Sequence, residues 1–210
     1  MRVRTKICGI TRLVDAQAAV AAGCDAIGFN FYRSSSRYAS PQQVREIITA
    51  LPPFVTAVGL FVDHSTREVR EAAERAGVGL LQFQGDETDA QCAAAGFPFI
   101  KAVRMAGPID ADAIARQYPT ASALLLDAWL PGQAGGTGHT FDWAWWPGGC
   151  TKPLILAGGL TAENVAGAID RTRPYAVDVC SGVEGAVKGV KDEAKLKQFM
   201  IEVQRAQRGN

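Results

Sequence analysis

Ala123-Leu124-Leu125-Leu126-Asp127 and Leu154-Ile155-Leu156-Ala157-Gly158-Gly159 decide how this chain is built. Each opens with an unbroken apolar run, lacking the polar alternation of a strand that faces water on one side. Such runs suit parallel strands covered by helices on both faces. Outward from these two, further short apolar or β-branched runs alternate with longer amphipathic or Ala-rich ones at the spacing of βα units. Eight strand candidates begin near Val3, Asp25, Phe54, Gly79, Phe97, Ser122, Pro153 and Tyr175.

The intervening helices carry their own start and stop signals. Ser40-Pro41 reads as N-cap and first helical residue, followed by Val44, Ile47, Ile48 and Leu51 at helical spacing and a stop at Pro52-Pro53. Ser65-Thr66-Arg67-Glu68 fits a capping box, with Val69, Ala72, Ala73 and Ala76 as the inward stripe and Gly77 as the left-handed end. A last helix from about Asp192 places Leu196, Phe199, Met200 and Val203 on one face. Another is expected to begin near Thr161. Eight such units in 210 residues predict a compact (β/α)8 TIM barrel, α/β in class. The alternative is an open doubly wound sheet, but no G-x-G-x-x-G follows the first strand. No linker or low-complexity tract divides the chain, so residues 1–210 are expected to form one domain.

The 22 basic and 21 acidic side chains are interspersed and leave a net charge of +1, which argues against nucleic acid or an anionic membrane as main partner. No run is long enough to cross a bilayer and no apolar segment of signal-peptide length follows the basic Met1–Lys6, so a cytoplasmic protein is expected. Five scattered cysteines (Cys8, Cys24, Cys92, Cys150, Cys180) show neither CxxC pairing nor metal-ligand spacing and read as reduced thiols. The two histidines, His64 and His139, are read as surface or loop residues and leave little material for a metal site or a Ser-His-Asp triad.

In a barrel the carboxyl ends of all strands face one mouth, and residues just after the strands collect there. Cys8, in Ile7-Cys8-Gly9-Ile10-Thr11, closes the first strand; it reads either as a small buried hydrophobe or as a base once ionised. Asp127 closes the sixth, where it is either a turn cap or a general acid whose proton affinity is raised by partial burial. Ala157-Gly158-Gly159-Leu160-Thr161 and Asp178-Val179-Cys180-Ser181-Gly182-Val183-Glu184 follow the last two strands. Glycine loops there suit phosphate, although Gly-Gly alone also marks a tight turn. Gly135-Gly136-Thr137-Gly138 has the composition of a mobile lid or a third cradle. Arg37, in the loop after the second strand, is either solvated or offers its fork to a substrate carboxylate. Trp143, Trp145 and Trp146 are expected to pack on the barrel's bottom or side.

With Lys6-Ile7-Cys8-Gly9-Ile10-Thr11, Leu125-Leu126-Asp127, Gly135-Gly136-Thr137-Gly138, Phe141-Asp142-Trp143, Leu156-Ala157-Gly158-Gly159-Leu160 and Asp178–Glu184 in this order, the whole chain resembles the phosphoribosylanthranilate isomerase family of tryptophan biosynthesis. The resemblance implies an Amadori rearrangement of N-(5-phosphoribosyl)anthranilate to 1-(2-carboxyphenylamino)-1-deoxyribulose 5-phosphate, without metal or organic cofactor. It implies Asp127 as general acid on the furanose ring oxygen and Cys8 as general base at C2. Phosphate contacts fall on Gly158, Gly159, Ser181 and Gly182, the anthranilate carboxylate on Arg37, and ribose hydroxyls on Asp178. The partner is then a small phosphorylated substrate, and the protein a monomer or homodimer. Where the family usually shows Gln-Leu-His-Gly, this chain has Gln82-Phe83-Gln84-Gly85, which puts substrate contacts near that loop in question. Cys180 is not counted as a second base. The rivals are the histidine-pathway isomerase acting on an aminoimidazole ribotide, which uses an aspartate in place of Cys8, and a non-catalytic phosphosugar-binding barrel.

Overall fold

A computed structural model describes residues 2–128 and 140–208. Its strands are β1 (Arg4–Ile7), β2 (Ala26–Asn30), β3 (Thr56–Phe61), β4 (Leu80–Phe83), β5 (Phe99–Met105), β6 (Ala123–Ala128), β7 (Leu154–Leu156) and β8 (Ala176–Val179). They pair in sequence order, all parallel, and β8 closes on β1 with Lys6 opposite Asp178 and Ile7 opposite Val179. The open doubly wound sheet is thereby excluded. Every strand begins within two residues of the place expected from the sequence.

Closure sorts the apolar runs into two faces. On β6, Ala123 and Leu125 join Ile100, Ala102, Ile155, Ala157 and Ala176 in a cluster inside the barrel. Leu124, Leu126 and Ala128 belong to the larger outer core beneath the helices, with Leu156 and Val177. Both faces are dry, so a strand can be apolar throughout; each fully buried leucine contributes about 1.5–3 kcal/mol relative to exposure.

The helices are α1 (Leu13–Ala21), α2 (Pro41–Thr49), α3 (Thr66–Ala76), α4 (Asp89–Ala93), α5 (Ala111–Gln117), α6 (Val165–Thr172) and α7 (Glu193–Arg208). Ser40 accepts a hydrogen bond from the Gln43 N–H at the start of α2. Ser65 and Glu68 form the reciprocal capping box of α3, which ends on Gly77 at φ 78°. On α3, Val69, Ala73 and Ala76 of the expected stripe are buried and Ala72 is half-buried at its edge; on α7, Leu196, Phe199, Met200 and Val203 are buried as expected.

One boundary differs from the sequence expectation. The helix placed near Thr161 starts at Val165, because the Asn164 side chain accepts from the Thr161 N–H and donates to the Gly159 carbonyl, holding 159–164 as a turn. Between β6 and β7 the described residues hold a short 3-10 turn, Trp143–Trp145, capped by Asp142 accepting from the Ala144 N–H. Trp143, Trp145 and Trp146 are half-buried against the outer core, which makes them side packing. Gly135–Gly138 and His139 lie outside the described residues. His64 sits half-buried in the loop after β3, its ring edge-on to Phe61.

Candidate active site

Strand alternation aims the site. Lys6 on β1 points into the barrel, and Cys8, two residues on, points the same way at the rim. Space for both comes from Gly28 on β2, where an added Cβ would stand 3.0 Å from the Cys8 Sγ and 3.1 Å from the Lys6 Nζ. On β6 the same alternation carries Asp127 into the mouth above Leu125. A single cavity there is lined by Cys8, Arg37, Asp127, Gly158, Gly159, Asp178 and Ser181 among others. Seven of the eight residues singled out from the sequence thus share one cavity.

The eighth, Gly182, acts from behind the wall. A Cβ on it would lie 1.9 Å from the Leu160 carbonyl oxygen, so the loops after β7 and β8 touch backbone to backbone. Gly158, at φ 88°, presses its Cα against the Ala128 amide at the end of β6. The glycine loops and the strand that carries Asp127 therefore form one wall of fixed shape.

Lys6 Nζ donates to Asp178 Oδ2 at 2.8 Å, with both side chains buried. Burial opposes the Lys6 charge, but Asp178 and Cys8 outweigh it and hold the ammonium protonated. Burial pushes the Asp178 carboxyl up, against the pull of Lys6 and Lys191. Its Oδ1 is buried without a hydrogen-bond partner, and so is Oε1 of Gln82 on β4. Both residues line the cavity. A desolvated acceptor left unpaired costs about 1–3 kcal/mol, so these two oxygens are set to receive donors from a ligand.

Asp127 is half-buried, and its carboxyl is pushed up to about 6, first by burial and then by the charge of Asp178. Gln84, Lys6 and the Ala128 amide pull it the other way. A carboxyl in that range holds a transferable proton near neutral pH.

Cys8 packs against Cys180, which follows β8 beside the end of β1. That contact, then burial, pushes the Cys8 thiol up, while Lys6 pulls it down. The same contact is the main cause that brings Cys180 down to about 7, helped by Lys191 and Arg37 against burial. Lys191 Nζ donates to the Cys180 carbonyl at 2.9 Å and lies 3.8 Å from its Sγ. The two thiols lie side by side, with Lys6 near Cys8 and Lys191 near Cys180. The sequence does not show this contact, because Cys180 and Cys8 are 172 positions apart in the chain and adjacent only after closure.

Arg37 departs from the sequence expectation of a fork open to substrate. Its Nε and Nη2 donate to the two carboxylate oxygens of buried Glu184 at 2.7 and 2.8 Å. Glu184 also accepts from Lys191 Nζ at 3.2 Å and the Gly189 N–H at 3.1 Å, and these cations hold its carboxyl down despite burial. The pair ties the loop after β2 to the loop after β8 and leaves the end-on Nη1/Nη2 edge of Arg37 beside the cavity. Lys6, Gln82, Glu184 and Lys191 were not singled out from the sequence. For Lys6 and Gln82 the signal was available: a polar residue at an inward-facing position of a strand otherwise buried on both faces.

A closed parallel barrel that gathers a carboxyl, a thiol pair and glycine loops at the carboxyl ends of its strands has the build of a (β/α)8-barrel enzyme. The family model described as N-(5'-phosphoribosyl)anthranilate (PRA) isomerase matches residues 5–202. The chain belongs to that family. An N-(5'-phosphoribosyl)anthranilate isomerase of Pseudomonas fluorescens strain Pf0-1 is 57% identical over 198 residues, covering 94% of this chain and 97% of the relative. The crystal structure of phosphoribosyl anthranilate isomerase from Thermus thermophilus is 39% identical with a TM-score of 0.87, over 97% of this chain and 99% of that one. A solved isomerase in complex with reduced 1-(o-carboxyphenylamino)-1-deoxyribulose 5-phosphate is 37% identical with a TM-score of 0.79, over 97% and 99% of the two chains. The protein is an isomerase of tryptophan biosynthesis. Among the described residues no helix is long and apolar enough to cross a membrane.

Proposed function

We propose that this chain converts N-(5'-phosphoribosyl)anthranilate to 1-(2-carboxyphenylamino)-1-deoxyribulose 5-phosphate with Asp127 as general acid and Cys8 as general base. One observation carries the reading: a carboxyl that holds its proton to about 6 and a thiol beside the Lys6 ammonium open into the same cavity. An aldose-to-ketose shift needs one proton delivered and another withdrawn around a bound sugar. Asp127 gives its proton to the ring oxygen, and the C1–O bond breaks to leave a protonated Schiff base. That cation acidifies the C2 hydrogen, which Cys8 removes; the proton on Cys8 passes to ionised Cys180 as it does so. The enolamine formed tautomerises to the ketone.

Substrate placement follows from the walls. Gly158, Gly159, Ser181 and Gly182 hold the phosphate through the backbone of the two joined loops. Asp178 Oδ1 receives a ribose hydroxyl, and the end-on edge of Arg37 meets the anthranilate carboxylate. The same reading takes residues 1–210 as a single catalytic domain acting in the cytoplasm as a monomer or homodimer. The balance of charges supports it, since it leaves a small phosphorylated substrate as the natural partner.

The test is the decay of anthranilate fluorescence when the protein is added to freshly generated substrate, with Cys8→Ala beside it. Rapid decay in the wild type that is lost in the variant supports the assignment. Equal decay in both removes Cys8 from the mechanism.

A further inference from the structure

The acid is not alone at the rim. Gln84, directly beyond β4, lines the cavity together with Asp127, and its side chain is among the groups that pull the Asp127 carboxyl down. The Gln84 Oε1 is already engaged elsewhere, which leaves its Nε2 to serve Asp127. That Oε1 accepts from the Gln82 Nε2 at 3.1 Å. Gln82 therefore has its amide oriented as well, with Nε2 committed and Oε1 left without a partner although the residue is only 2% exposed. All three residues line the cavity.

We propose that Gln82 and Gln84 form a one-way hydrogen-bond relay from the substrate to the acid, in which Gln82 Oε1 accepts a hydroxyl of the sugar and Gln84 positions Asp127. The proposal rests on Asp127 being the general acid. Each link points the same way: sugar hydroxyl to Gln82, Gln82 to Gln84, Gln84 to the carboxylate. Hydrogen bonds in such a chain polarise one another, so engaging the free end strengthens the hold on Asp127. Gln84 is held from outside too, since its carbonyl accepts from Arg104 Nη2 at 3.2 Å and the next residue's carbonyl accepts from buried Lys101. Gln82 and Gln84 are thus positioning residues acting through Asp127. They also give the site a preference for a ligand with a hydroxyl opposite Gln82, since one lacking it leaves a buried oxygen unpaired.

Charged groups facing Asp127 are Asp178 from β8 and Lys6 from β1; Arg104, its register neighbour on β5, turns outward to Gln84 and Asp86. None of these contacts is removed by Gln84→Leu. The experiment compares pH profiles of kcat and KM for wild type, Gln84→Leu, Gln82→Met and Asp127→Asn, with the Asp127 carboxyl titrated by carbon-13 NMR in the first two. In Gln84→Leu the carboxylate loses a donor, so the Asp127 titration and the high-pH limb both move upward, and kcat falls on the order of tenfold with KM little changed. Gln82→Met raises KM. An unmoved titration and unchanged kcat in Gln84→Leu, with Asp127→Asn inactive, overturns the relay and leaves the acid standing. Full activity in Asp127→Asn overturns both, because the relay then has no acid to serve. If Gln82→Met does not fold, the half-exposed Gln84 variant decides alone.

Discussion

Replacing Gly182 with alanine puts a methyl group 1.9 Å from the Leu160 carbonyl oxygen, whereas Cβ contacts shorter than 3.0 Å are essentially never found. Both partners belong to backbone, so no side chain can swing aside. The loops after β7 and β8 must part by about 1.1 Å for the methyl to fit. These loops are the proposed phosphate cradle, and a misplacement of about 1 Å in a bound substrate costs on the order of 10²-fold in rate. That corresponds to about 2.7 kcal/mol of transition-state stabilisation. Gly167→Ala is the control. It lies on the exposed face of helix α6 with nothing within 4 Å of its added Cβ, and alanine there is expected to stabilise by up to about 1 kcal/mol. Steady-state fluorescence assays give kcat and KM for both variants, and binding of a reduced product analogue with and without its phosphate isolates the cradle. For Gly182→Ala the expected outcome is a loss of about 10²-fold in kcat/KM, with analogue affinity falling only when the phosphate is present. Wild-type kcat/KM in Gly182→Ala would refute the idea that contact between these loops sets the phosphate position.

Cys8→Ala and Asp127→Asn should each lower kcat by at least about 10²-fold while leaving product-analogue binding near wild type, and the melting temperature near wild type at pH 4. The dependence of kcat/KM on pH should be bell-shaped. Asp127 must keep its proton, with a carboxyl near 6, and the thiol pair must lose one, with Cys180 near 7, so the competent form is a minority species whose fraction peaks between these values. Cys180→Ser should raise the low-pH limb, because Cys8 must then ionise without an acceptor for its proton. Stability should depend on pH through Asp127 as well. Its carboxyl is higher in the folded protein than the ordinary value of about 4, so wild type loses stability as pH rises from about 4 to about 6. Asp127→Asn should therefore gain on the order of 1–3 kcal/mol relative to wild type above pH 6 and nothing below pH 4, read by urea denaturation. Glu184→Gln should cost about 3–5 kcal/mol, since it leaves Arg37 and Lys191 buried without their shared carboxylate. An undiminished urea midpoint would show that those cations find water instead.

The strands, most of the helices and the positions of the proposed acid and base at their strand ends were legible in the chain because their signals are local. A run such as Leu124-Leu125-Leu126 must be buried wherever it goes, Ser65 and Glu68 cap a helix through atoms three residues apart, and a carboxylate ending an apolar run asks for a reason. The turn at 159–164 escaped notice because Asn164 and Thr161 fit a helix start as well as a turn. Which leucines face the barrel interior was invisible for a related reason: a run apolar on both faces carries no alternation.

Closure of β8 on β1 decided the remainder. It set Lys6 against Asp178, Cys8 against Cys180 and Arg37 against Glu184, pairs separated by 147 to 172 positions and joined only in the folded barrel. The sequence by itself determined where the chemistry-bearing groups sit on their strands, since strand ends and residue types are local properties. The tertiary structure alone decided their proton affinities, because desolvation and neighbouring charge depend on what the closed barrel brings within a few ångströms.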